Sequence, residues 1–199
     1  MSAQARVRQS DDQYTSTGLP SWKIGFWAFL GSECLFFGTL ISTYMVYKGA
    51  VVEGPVPREI LNIPLTSVST FVLLMSSLAM VLALEAVQAA RRGAALGWLA
   101  AVIVLGITFL GFQAYEFTNF VGEGLTIQRN IFGSTFFVLT GFHGAHVTVG
   151  VIWLTTLLIM AARGKLPPAK ALNVEIAGLY WHFVDIVWIV IFTFIYLIQ

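Results

Sequence analysis

The sequence has little of what disulfide-bonded, cysteine-ligated or soluble proteins require. A single cysteine, Cys34, excludes an intrachain disulfide and a metal site built from several cysteines. Asp, Glu, Lys and Arg make up 11% of the 199 residues, whereas they make up about 25% of a soluble domain. The formal net charge is +1, so charge predicts neither a nucleic-acid nor an acidic partner. The first 20 residues lack the apolar core of a signal peptide, and we expect them to be retained as a polar tail.

Long apolar runs fill the rest of the chain. Hydrophobic residues make up 57% of it, and the mean hydropathy is +0.81. Each run exceeds the roughly 20 residues that a helix needs to cross a membrane, where a lone strand would leave its backbone groups unpaired. The sequence therefore predicts an all-α integral membrane bundle, with residues 21–199 forming one domain. Its five transmembrane helices are expected at about residues 24–47, 63–90, 94–118, 131–162 and 172–198.

The distribution of Lys and Arg among the short loops predicts the orientation of the bundle. Eight of these residues lie in the tail and in the loops on the N-terminal side, and three lie on the opposite side. Positive residues are enriched in cytoplasmic loops. We therefore expect the N-terminus, with its tail at residues 1–20, to be cytoplasmic and the C-terminus to lie outside.

Two histidines stand in the least polar part of the sequence. The fourth span, Ile131–Ala162, has no Asp, Glu, Lys or Arg over 32 residues, yet it contains His143 and His146. Ionisable groups are costly in hydrocarbon and normally have a function there. These two residues are therefore candidate functional residues.

Other ionisable residues lie in neighbouring spans. Glu33 is in the first span, where we expect it to be protonated or paired because a lone charge would be costly. His182 and Asp185 are three residues apart in the fifth span, which places them on one helix face. Glu85 and Glu116 lie towards the ends of the second and third spans, within reach of water or headgroups.

Two interpretations of these side chains are open from the residues alone. His143, His146 and His182, with Glu33 and Asp185, offer enough nitrogen and oxygen ligands for a metal or haem site. Alternatively, they form hydrogen bonds between helices. The HxxH spacing lacks the glutamates of an ExxH di-iron bundle and places both imidazoles on one face, which does not suit haem ligation from two sides. Hydrogen bonding is therefore preferred, and a free-standing membrane haem- or metal-binding oxidoreductase is the alternative.

Four blocks of sequence resemble subunit III of the haem–copper terminal oxidases. They are SECLFF at residues 32–37, FQAYEF at 112–117, GSTFFVLTGFHGAHV at 133–147 and YWHFVDIVWIVIFTFIYL at 180–197. The blocks fall on four of the five predicted spans and keep the order of the family. The resemblance covers about residues 21–199.

The resemblance implies an accessory role in an oxygen-reducing, proton-pumping complex of a bacterial cytoplasmic membrane. In this family subunit III holds no redox cofactor or metal and packs against the haem- and copper-bearing subunit I, beside subunit II and small subunits. It is also associated with bound phospholipid, with proton uptake and with oxygen access. The buried polar positions that match the family are Glu33, Glu116, His143, His146, His182 and Asp185.

The chain resembles the five-helix bacterial form of this subunit. Residues 1–31 contain no pair of apolar spans ahead of SECLFF, so we expect the two leading helices of the seven-helix form, and with them one wall of a cleft that houses lipid, to be missing. The five-helix form occurs with both cytochrome c and quinol oxidases, so the electron donor stays open. A small transporter that uses Glu33 as a proton-coupled carboxylate is disfavoured, because the sequence has no repeat halves and no Pro-interrupted helices.

Overall fold

The computed structural model describes residues 21–48, 61–128 and 130–198, and the expected polar tail at residues 1–20 lies outside them. All regular structure in the described residues is helical. The prediction of an all-α chain with five membrane-spanning helices is confirmed, because five helices are long and apolar enough to cross a membrane. The five are α1 (Ser21–Tyr47), α2 (Ile63–Gln88), α3 (Arg92–Gly122), α4 (Ile131–Ala162) and α5 (Ala171–Phe192).

Two helices differ from the expected spans at their ends. Helix α3 continues to Gly122, about one turn beyond the expected end near residue 118. Hydropathy falls at Thr118 and Asn119, but the backbone stays helical through them. Helix α5 is preceded by a 3₁₀ turn at Pro168–Lys170 and is continued by a π-helical turn at Thr193–Leu197.

Local sequence signals set several helix ends. The side chains of Asn62 and Asn130 cap the N-termini of α2 and α4 by accepting hydrogen bonds from Leu65 N and Gly133 N, at 3.1 and 2.7 Å. Helices α3 and α4 end before glycines with positive φ, Gly124 at 86° and Gly164 at 69°. Glycine adopts this conformation without a steric cost, so it terminates both helices readily.

Helices α2 to α5 form a closed ring of four. Helix α2 packs on α3, α3 on α4, α4 on α5, and α5 again on α2. The chain divides into two compact units, one of which begins at Phe37 and contains these four helices with the C-terminal part of α1. Within that unit Phe37 contacts Phe183 of α5, and Tyr44 contacts Phe132 of α4, with ring centroids 6.2 and 6.1 Å apart.

The centre of the ring is occupied by Trp181 of α5, which is fully buried. A Cβ atom built on Gly106 of α3 would lie 2.7 Å from its indole, and one built on Gly150 of α4 would lie 2.8 Å from it. The two glycines therefore provide the space that the ring of Trp181 fills. Its indole N–H donates to Ser76 Oγ of α2 at 2.9 Å, so this one side chain joins all four helices.

Candidate functional site

His143 of α4 is the most deeply buried of the candidate residues, with none of its surface exposed. Its Nε2 lies 3.2 Å from the carbonyl oxygen of Val184 on α5, and because a carbonyl only accepts, Nε2 carries the proton. The ring of Trp188 lies 4.8 Å from the imidazole, inclined by 32°, and the ring of Phe109 lies 5.8 Å away, edge on. His143 thus contributes one interhelical hydrogen bond inside an aromatic cage.

The second nitrogen of His143 is enclosed by protein. Within the described parts of the chain, Nδ1 has no hydrogen-bond partner. The neighbouring indole of Trp188 is fixed in turn, because its N–H donates to Thr70 Oγ1 of α2 at 2.9 Å. Aromatic rings, rather than other metal ligands, therefore make up the surroundings of this imidazole.

His146 lies one turn further along α4 and is partly exposed. Its Nδ1 bonds to the carbonyl oxygen of Phe142 at 2.7 Å, on its own helix. The sequence predicted a hydrogen bond from His146 to a neighbouring helix. Its Nδ1 bonds instead to a carbonyl of α4 itself, one turn earlier. The edge of the His146 ring also contacts Phe37 of α1, at a centroid distance of 5.0 Å.

His182 of α5 bonds to Ser77 of α2. The hydroxyl of Ser77 is 2.6 Å from His182 Nδ1. Asp185, three residues further along α5, is buried, and neither of its carboxyl oxygens has a hydrogen-bond partner in the described residues. His182 therefore bonds to a neighbouring helix, as the hydrogen-bonding interpretation of the sequence expects.

Glu116 of α3 is buried rather than solvated at the end of its helix. Only 4% of its surface is exposed, which agrees with its place among the buried polar positions of the matching blocks. Thr66 Oγ1 of α2 lies 2.5 Å from its Oε1. Tyr196, in the π-helical turn, is buried near the same carboxyl group.

The remaining carboxylates lie in less enclosed positions. Glu33 is on the N-terminal part of α1 and is partly exposed. Glu85, near the end of α2, forms an ion pair with Arg91, and both side chains are more than half exposed. Such an exposed pair adds little to stability.

Gln113 of α3 is a polar residue that sequence reasoning missed. Its amide lies flat against α4, where Nε2 donates to the Thr140 carbonyl oxygen at 2.7 Å. A Cβ built on Gly144 would be 2.7 Å from its Oε1, so the glycine allows this close approach. The available signal was an uncharged amide within the otherwise apolar part of α3.

The arrangement distributes the polar side chains over several separate contacts. In residues 21–48, 61–128 and 130–198, no three His, Cys, Asp or Glu side chains converge in a way that could hold a metal ion. The buried groups bond instead to hydroxyls and carbonyls, mostly of neighbouring helices. Chemically, the arrangement fixes how the helices pack in a medium without water.

Comparison with known proteins gives one family. The sequence model of cytochrome c oxidase subunit III matches residues 6–199. A quinol oxidase subunit 3 of Bacillus subtilis is 41% identical over 87% of this chain and 85% of its own length. A cytochrome c oxidase subunit 3 of Alkalihalophilus pseudofirmus is 38% identical over 92% of this chain and 95% of its own length.

A third relative is the subunit 3 of another type of quinol oxidase. It is a cytochrome bo(3) ubiquinol oxidase subunit 3 of Pseudomonas putida, 35% identical over 88% of this chain and 84% of its own length. These matches agree with the resemblance carried by the four sequence blocks. The chain belongs to the cytochrome c oxidase subunit III family.

Proposed function

We propose that this chain is a non-redox accessory subunit of a haem–copper oxygen reductase in aerobic respiration. The family match over residues 6–199 and the subunit 3 names of its relatives support this proposal. The structural observation that supports this proposal is the environment of His143. Its imidazole bonds to the Val184 carbonyl and is surrounded by aromatic rings. A histidine used in this way holds helices together. The haem and copper of the complex are then bound by its partner subunits.

The proposed partners are those of the oxidase complex. The chain packs directly against subunit I, which carries the haem and copper, in the same complex as subunit II and small subunits. By this packing it stabilises subunit I and supports proton uptake or oxygen access, with phospholipid bound alongside. Many apolar side chains of its helices are more than half exposed, among them Phe71, Val104 and Ile152, and they provide surface for both protein and lipid neighbours.

Both classes of electron donor are compatible with this role. Bacillus subtilis has a quinol oxidase subunit 3 that is 41% identical to this chain and a cytochrome c oxidase subunit 3 that is 39% identical. Nearly equal identities to the two classes are expected if the donor binds to other subunits. The proposal is therefore an oxygen reductase, with the donor set by the partners.

The proposed location is a bacterial cytoplasmic membrane, with residues 1–20 as a cytoplasmic tail and the C-terminus outside. The loop charges and the bacterial relatives support it. Contacts at the helix ends agree with an alternating path. Lys48, after α1, bonds to the Ile198 carbonyl at the other end of the chain, and Arg92 of α3 bonds to the Ala162 carbonyl that ends α4.

Co-purification tests the proposed function. The chain is tagged at its N-terminus, expressed in its native membrane, and purified in mild detergent, and the co-purified proteins are identified by mass spectrometry. We expect one haem-bearing subunit per chain and oxygen reduction by the purified complex. Recovery of the chain alone, from membranes whose oxidase is fully active and complete, would contradict the proposal.

A further inference from the structure

The groove between α2 and α5 contains a polar group that the described residues do not satisfy. Ser77 binds Nδ1 of His182, which leaves Nε2 as the free nitrogen of the ring. In the described residues, Nε2 has no hydrogen bond, and the side chain is partly exposed. Helix α5 therefore presents a free imidazole nitrogen at the surface of the bundle.

This nitrogen lies at mid-membrane depth. His182 is about 17 Å along the axis from Ala171, where α5 begins. Ser77 is about 21 Å from Ile63 and about 17 Å from Gln88, the two ends of α2. Both residues are thus far from either headgroup layer of a bilayer whose hydrocarbon core is about 30 Å thick. Lipid chains offer no hydrogen bond at this depth.

The surface around Ser77 and His182 is apolar. On α2 the neighbours of Ser77 at helical spacing are Leu74 and Val81, exposed by 36% and 51%. On α5 the next residue along the same face as His182 is Ile186, exposed by 60%. We call this surface, formed by Leu74, Ser77, Val81, His182 and Ile186, the α2–α5 seam.

Threonines on the outer faces of α3 and α4 are satisfied within their own helices. Thr108 of α3 donates to the Val104 carbonyl at 2.8 Å, and Thr148 of α4 donates to the Gly144 carbonyl at 2.8 Å. Such hydroxyls are compatible with lipid because they leave no group unpaired. The free Nε2 of His182 is different, since it requires a hydrogen-bonding group from another molecule.

A second polar residue lies behind this contact. Asp185, three residues further along α5, is 3% exposed, and neither of its carboxyl oxygens has a hydrogen-bond partner in the described residues. Polar side chains of α5 therefore extend from the interior of the bundle to its surface. The complementary surface is apolar with a hydrogen-bonding group at its centre, which is the chemistry of a polar residue on a packed transmembrane helix.

We propose that the α2–α5 seam is the surface on which the haem- and copper-bearing subunit packs, with a polar group of that subunit bound to His182 Nε2. This inference rests on the proposed function, because that function supplies the partner. It adds the face of the bundle that makes the contact. The hydrogen bond replaces the one that lipid cannot provide, and the apolar rim excludes lipid from it.

Site-specific photo-crosslinking in the complete oxidase tests the position of this surface. A photoreactive phenylalanine analogue is placed at Ile186 on the seam and, in a matched variant, at Ile152 of α4, which is exposed by 63%. Intact membranes are irradiated and the adducts are identified by mass spectrometry. We expect an adduct with the haem-bearing subunit from position 186 and lipid adducts from position 152.

The outcomes separate this inference from the proposed function. An adduct with the haem-bearing subunit from position 152 alone would overturn the seam but keep the accessory role. Lipid or a second copy of this chain as the only adduct of position 186 would also overturn the seam. If neither position gives the haem-bearing subunit and the two proteins do not co-purify, both proposals fail.

Two amide variants test the hydrogen bond itself. In H182N the shorter side chain puts its amide near the position of Nδ1, where it keeps the contact with Ser77. In H182Q the longer side chain puts its amide near the position of Nε2. We expect H182N to lower the amount of haem-bearing subunit retained in detergent by roughly two- to tenfold, the effect of one lost hydrogen bond. H182Q should retain more than H182N. Equal retention, or equal loss, in the two variants would show that Nε2 makes no contact with the partner.

Discussion

The imidazole of His143 and the indole of Trp188 lie 4.8 Å apart between ring centroids, with their planes inclined by 32°. The two residues come from different helices, α4 and α5, and each also bonds beyond the pair. His143 bonds to Val184 and Trp188 bonds to Thr70 of α2. His143 and Trp188 therefore join α4, α5 and α2 through one aromatic contact and two hydrogen bonds.

Replacing His143 should destabilise the subunit before it changes any haem. H143A removes a fully buried ring and one interhelical hydrogen bond, which we expect to cost about 2–4 kcal/mol. Loss of the chain from the complex on heating in detergent measures this effect. The matched variant H146A, at a partly exposed site on the same helix, should cost less. An altered haem absorption spectrum in a complex that keeps its full complement of H143A chain would contradict the structural role.

Adding one methyl group beside Trp181 should impair packing. In G150A the new Cβ would lie 2.8 Å from the indole, which is closer than carbon atoms approach. We expect a loss of about 1–3 kcal/mol, typical of an overpacked core. The control is G141A on the same helix, where a Cβ meets nothing within 4 Å. If both variants have the same thermal stability in the purified complex, Trp181 does not fill the space between α3 and α4.

Truncating Glu116 should lower the stability of the bundle, because its carboxyl group bonds to a buried hydroxyl of another helix. E116A removes the interhelical hydrogen bond between Thr66 and the carboxyl group and leaves the Thr66 hydroxyl only the Asn62 carbonyl of its own helix, at about 1–3 kcal/mol for the loss of a buried bond to a charged or polar partner. E116Q keeps an oxygen at the site and should lose less. The exposed residue Glu85 provides the control, because E85A should change the unfolding temperature little. An E116A variant as stable as E85A would place Glu116 in contact with water, as the sequence alone suggested.

Removing the acceptor of the Trp181 N–H should also destabilise the bundle. S76A leaves a buried indole N–H unpaired, at about 1–3 kcal/mol. S67A is the matched control on α2, because Ser67 is exposed and bonds to the Ile63 carbonyl of its own helix. The fraction of folded chain after graded denaturant in detergent compares the two. Equal stability would mean that Trp181 finds its acceptor elsewhere.

The five helices could be predicted because hydropathy reports which residues lie in hydrocarbon. His143 and Asp185 are buried in the structure, which fits the high cost of an ionisable group in hydrocarbon. The end of α3 could not be obtained in this way, because the helix continues through Thr118 and Asn119 after the apolar run stops. Hydropathy does not report where a backbone stops being helical.

The hydrogen-bond partners of the buried side chains could not be predicted from the sequence either. Ser77 and His182 are 105 positions apart, and so are Ser76 and Trp181. Such pairs depend on which face of α2 meets α5, and nearly all faces of these helices are apolar. The surroundings of Glu116 could not be predicted for the same reason, since Thr66 lies on another helix, 50 positions away in the sequence.

The metal and haem content of the separated chain tests whether it is an oxidase subunit without a redox centre of its own. The purified complex is dissociated in detergent, the chain is separated, and haem, iron and copper are measured in every fraction. We predict that all three remain with the partner subunits and that the separated chain holds far less than one equivalent of each. The opposite result would be one equivalent of haem or iron that stays with the chain and is lost when His143, His146 or His182 is replaced. It would show that the chain has a redox centre of its own.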